Sequence, residues 1–74
     1  MNDLPRISGQ DCVKTLGRAG FRFIRQTGSH MVLRRGQPFA QVVVPDHREL
    51  DRGTIRAIIR QAGLTVEAFN QLNA

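Results

Sequence analysis

The chain has 74 residues, 41% of them hydrophobic, with a net charge of +5 and a single cysteine. That length admits one domain, residues 1–74, with a core thin enough for one layer of helices on one sheet. A lone Cys12 excludes an internal disulfide framework. No apolar run approaches the ~20 residues of a membrane span and no signal peptide is legible, so the expected setting is the cytoplasm.

The first predicted element is a helix. Ser8 is an N-cap residue, and Asp11 stands three positions on, a capping-box spacing. Ile7 and Cys12 sit where a hydrophobic staple packs. Cys12, Leu16 and Ala19 then recur at helical spacing, and Gly20 is a stop signal. Cys12 is therefore read as a small core residue, not a reactive thiol. Three short strands follow: Phe21 to Thr27, Ser29 to Arg35 and Phe39 to Val44. Phe21 and Phe23 are expected to point inward and Arg22 outward. The turns at Gly28 and at Gly36-Gln37-Pro38 are so short that the strands must be antiparallel neighbours.

After the polar loop "PDHRELDRG", the stretch "TIRAIIRQAG" predicts a second helix, with Asp51 as cap and Gly63 as stop. Ile55, Ile58, Ile59 and Ala62 form its apolar stripe. Thr65 caps a short last helix carrying Val66, Phe69 and Leu72. The expected architecture is α+β, in the order α-β-β-β-α plus a C-terminal helix, with helices on one face of a three-stranded antiparallel sheet.

The charge has a pattern. Ten of the eleven basic residues are arginine, Lys14 being the exception. Between Cys12 and Pro45 lie Lys14, Arg18, Arg22, Arg25, Arg34 and Arg35, with no carboxylate. Arginine's planar fork of donors fits phosphate, so this bias points to a polyanion, most simply nucleic acid. On the second helix, Arg52, Arg56 and Arg60 stand four apart and make one ridge, which an anionic partner would compensate. The absence of Trp and Tyr argues against a platform built mainly on base stacking.

No Cys/His cluster has metal-ligand spacing, and no Walker loop, Rossmann fingerprint or nucleophile elbow occurs. Asp46, Glu49 and Asp51 form an acidic trio that reads as caps and turn formers rather than as a metal site. No cofactor is expected. RNA cleavage is a reaction that a small basic domain can perform without one, because RNA carries its own nucleophile, the 2′-hydroxyl. The protein must orient the phosphate, move a proton near neutral pH and offset developing negative charge. His30 suits the second task. Gly28 admits close approach to the backbone, Ser29 offers a hydroxyl, and Arg22, Arg25, Arg34, Arg35 and Lys14 supply positive charge. His47 and Arg56 are supporting candidates.

Five short motifs occur in order: Gly20-Phe21, Gly28-Ser29-His30, Val44-Pro45-Asp46-His47, Gly53-Thr54-Ile55-Arg56 and "IRQAGL" from Ile59 to Leu64. Together, from about Arg6 to Leu72, they resemble the HicA toxins of bacterial toxin–antitoxin pairs. The resemblance implies a double-stranded-RNA-binding-domain-like fold and a ribosome-independent mRNA interferase whose catalytic histidine corresponds to His30. It also implies a HicB-type antitoxin that covers His30. Ile55 replaces the usual leucine of its motif, a core exchange. The expected activity is thus a metal-independent endoribonuclease acting on mRNA, monomeric alone and part of a larger complex with its antitoxin. The alternative is a non-catalytic module that grips double-stranded RNA. A plain interaction domain, whose charge serves solubility, is the third reading.

Overall fold

A computed structural model describes residues 3–74. Helix α1 spans Gly9–Gly17, strands β1, β2 and β3 span Arg22–Thr27, His30–Gly36 and Phe39–Pro45, and helices α2 and α3 span Arg52–Gln61 and Val66–Asn73. Local chemistry accounts for the boundaries. Ser8, Asp51 and Thr65 each hold an extended backbone and accept the N–H three residues on through the side chain, as N-caps do. After Gly17 the chain tightens. The Phe21 N–H reaches Leu16 O at 3.1 Å and the Gly20 N–H reaches Gly17 O at 3.1 Å, a Schellman ending that satisfies carbonyls the helix would leave open.

The sheet order is β1-β2-β3, antiparallel throughout. One face carries Met31, Leu33, Val42 and Val44, all buried, and the helices lie over it. Cys12 and Leu16 of α1 and Ile55, Ile58 and Ile59 of α2 complete a continuous core with Phe21 and Phe69. Helix α3 packs against α1 and α2. Ile7 and Cys12 join that core, in the staple positions around the Ser8 cap. The expected α+β architecture is thus the observed one.

One expectation is corrected. Phe23 pairs with Leu33 and so does face the helix side, but it is 52% exposed. Strand β1 is an edge strand, and Phe23 lines a solvent-open groove between β1 and α1.

Candidate active site

The connection between β1 and β2 is two residues long. Thr27 pairs with His30, leaving only Gly28 and Ser29 between them. Gly28 has φ +59° and Ser29 does not share the positive φ. This is the glycine-first hairpin turn, whose twist matches that of its strands, and it requires glycine at position 28. The turn is also held from outside. The Gln26 side-chain amide donates to Gly28 O at 3.0 Å and to an Asp46 carboxylate oxygen at 3.2 Å. Gln10 of α1 donates to the other Asp46 oxygen at 3.3 Å, and the Asp46 N–H donates to Ser29 O at 2.6 Å. His30 is therefore the first residue of a clamped strand. It is exposed, with Thr27 and Pro45 as its cross-strand partners.

Side chains alternate along β2, so His30, Val32 and Arg34 face away from the helices. The same open face receives both Arg22 and Arg25, paired with Arg34 and Val32 respectively. On a regular strand, residues three apart point opposite ways. The register shift between Phe23 and Arg25 inserts one extra residue, a β-bulge, and brings Arg25 back to the side of Arg22. Arg34 donates twice to the Gln41 amide oxygen, at 2.9 and 3.0 Å, so its guanidinium is aimed along the sheet without being neutralised. The open face also bears Phe39, 69% exposed, and Val43, 40% exposed.

The remaining sequence candidates lie elsewhere. Arg35 is on the helix side of β2. Its guanidinium stacks 4.7 Å from the Phe21 ring centroid and donates to Pro38 O and Ala62 O at 3.0 and 3.3 Å. It ties the end of α2 to the sheet and does not share the open face with His30. Lys14 is exposed on α1, also away from that face. Arg56 is exposed on α2 with Arg52 and Arg60.

His47 is exposed in the β3–α2 connection, two residues beyond the cross-strand partner of His30. Both histidines thus sit at one end of the sheet. The N-termini of α1 and α2 meet there too, since the Gly9 N–H donates to His47 O at 2.8 Å and the Leu50 N–H to Ile7 O at 2.9 Å. Helix N-termini are the positive ends of the helix dipoles, and the carboxylates of Asp11, Asp46 and Asp51 lie against these two.

The acidic trio is otherwise engaged: Asp46 binds Gln10 and Gln26, and Asp51 caps α2. The Asp51 carboxyl is held below its usual range, first by the Thr54 N–H it accepts and, more weakly, by the charge of His47.

A family model described as the HicA toxin of bacterial toxin–antitoxin systems matches residues 9–64. The chain belongs to the HicA toxin family. Membership gives this HicA chain a toxin role, a nuclease activity at the level of the family, and a HicB-type antitoxin as partner. No curated protein sequence matches the chain. Among the described residues no helix is long and apolar enough to cross a membrane.

Sequence reasoning did not find the Asp46 clamp. The clue was present, since Asp46 precedes His47 in the motif "VPDH", but its glutamine partners lie 20 and 36 residues away. Gly9 was also missed. A Cβ there would collide with the Pro45 carbonyl oxygen, so α1 approaches the end of β3 as closely as it does only because residue 9 has none.

Proposed function

We propose that this toxin is an endoribonuclease that cleaves mRNA, independently of the ribosome and of metal ions, with His30 as the general acid–base group. The observation that carries the reading is the shared open face. A clamped, exposed His30 stands at the end of a sheet surface with Arg22, Arg25 and Arg34. The 2′-hydroxyl of a bound nucleotide attacks its own phosphate. His30 takes that proton or supplies one to the departing 5′-oxygen, and the arginines offset charge on the phosphate oxygens. Gly28 adds little bulk at the turn, so the backbone N–H groups there lie open to phosphate. Arg35 is removed from the RNA-binding set by this reading. His47 is kept as a supporting residue at the same end. A HicB-type antitoxin that inhibits by covering His30 meets the open face with acidic side chains in place of phosphates.

The test is cleavage of a labelled single-stranded RNA in EDTA by the intact chain and by a folded His30→Ala variant. The expected product end is a 2′,3′-cyclic phosphate. The variant is expected to be slower by about 10²–10⁴-fold, the usual worth of an acid–base group. Equal, salt-sensitive RNA binding by both proteins with no cutting by either makes the domain a binding module instead.

A further inference from the structure

Beside the His30 turn, but on the helix side of the sheet, lies a groove of about 280 Å³. Gln10, Val13 and Lys14 of α1 form one wall, Phe23 and Gln26 of β1 the other, and Met31 of β2 lies between them. Its setting is unlike that of a core defect. Phe23 faces this space and is 52% exposed, the one large apolar side chain of the helix face left so uncovered among the described residues. Because β1 is the edge of the sheet, the groove opens sideways to solvent. Gln26 is the cross-strand partner of Met31, and Met31 follows His30, so the groove begins one residue from the proposed acid–base group.

We infer that this groove is a subsite for one unstacked nucleobase of the RNA strand, adjacent to the nucleotide that is cut. The inference rests on the nuclease reading above. Phe23 offers a π-face to a base of any identity, and Val13 and Met31 supply apolar contact. Gln26 uses both N–H groups on Gly28 O and Asp46, and Gln10 uses one on Asp46. The Gln26 amide oxygen remains as an acceptor for donor groups on a base edge, and Asp46 holds both amides in place. Lys14, at the groove's border, is also in the lining of a polar hollow that contains Arg6 and Arg18. Phosphates flanking the seated base thus meet three cations, opposed by the single carboxylate of Asp11. That charge favours a nucleic-acid strand over an apolar peptide as the occupant. Asp46 then has two roles, clamping the His30 turn and orienting the amides of the base site. Strand, turn and groove are coupled through one carboxylate.

The experiment uses a short RNA that the intact chain cuts at one position, made uncleavable there by a 2′-deoxy nucleotide so that its register is known. A series places one abasic nucleotide at each position, and affinities are measured for the intact chain and for Phe23→Leu. A base stacked on an aromatic ring is expected to contribute roughly five- to hundredfold in affinity. The expected result is a loss of that order at one position next to the cut, and a similar loss with Phe23→Leu on intact RNA. The two losses should not add. The abasic series leaves the protein unaltered, so its result does not depend on how the variant folds.

A flat abasic series with parental affinity for Phe23→Leu overturns the subsite and leaves the nuclease reading standing. Failure of the intact chain to bind or cut any RNA overturns the nuclease reading and the subsite with it. Unchanged RNA binding with weakened capture by the antitoxin makes the groove a protein-docking surface and also overturns the assignment.

Discussion

Arg25 and Arg35 are the same residue type on neighbouring strands, yet they do different things. Arg35 is half-buried, stacked on Phe21 and bonded to two carbonyls, whereas Arg25 is exposed on the open face. Arg35→Met is expected to cost roughly 1–3 kcal/mol through the lost stacking and hydrogen bonds, read from the denaturant midpoint, while RNA affinity of the folded protein stays unchanged. Arg25→Gln is expected to leave the midpoint alone, weaken RNA binding and lower the salt-dependence slope by about 0.7 for a single strand. An exchange of these two phenotypes would refute the assignment of faces. Gly9 supplies a third case at this scale. In Gly9→Ala the added methyl meets backbone rather than a flexible side chain, so α1 must shift away from β3. The expected destabilisation is roughly 1–3 kcal/mol, measured by thermal or denaturant unfolding. A neutral result would mean that α1 rides more loosely on β3 than its Gly9–His47 hydrogen bond implies.

At the scale of elements, capping is the part of the fold most directly written in the sequence. Ser8, Asp51 and Thr65 act as caps because their side-chain oxygens reach an N–H within the next turn, which needs no tertiary partner. The Asp51 cap also carries a charge. Its folded-state pKa lies below the unfolded value of about 3.9. Its contribution is therefore present above that value and is lost as pH falls through the folded pKa. Asp51→Asn keeps the cap oxygen and removes the titration. The variant is expected to show a flatter decline in stability on acidification, followed by thermal melts from neutral to acid pH. A decline identical to the parent's would show that Asp51 is not the group responsible. Strand β1 marks the limit of such local reading. Alternation placed Phe21 and Arg22 on their faces, but nothing in "FRFIRQT" signals the bulge that returns Arg25 to the side of Arg22.

At the scale of the molecule, the core is a single cluster between sheet and helices, with Cys12 fully enclosed in it. Burial pushes the Cys12 thiol up to about 12, far from the thiolate form at neutral pH. Alkylation of Cys12 is therefore expected to be negligible in the native protein and to follow the fraction unfolded across a denaturant titration. Rapid labelling without denaturant would show that α1 detaches readily from the sheet. The two faces of the molecule are also chemically distinct. One end gathers His30, His47 and two helix N-termini, the open face carries three arginines, and the helix side carries the Phe23 groove.

The sequence by itself determined the element order, the antiparallel strand pairing, the apolar stripes of α1 and α2 and the positive charge of the surface. Each of these follows from periodicity, turn length or composition, which act over a few residues or over none. It also singled out His30, through a motif and through the chemistry that RNA cleavage needs. Only the tertiary structure decided which arginines stand with His30, because one inserted residue in β1 reverses side-chain parity. It likewise decided that Arg35 braces the end of α2 against the sheet, on the face away from His30, and that Phe23 faces the helices without being covered by them. The Asp46 clamp belongs here as well. Its partners come from two segments distant from it in the chain, Gln10 of α1 and the hairpin residues Gln26 and Ser29, and a carboxylate reveals such a role only when folding has brought its donors within hydrogen-bonding distance.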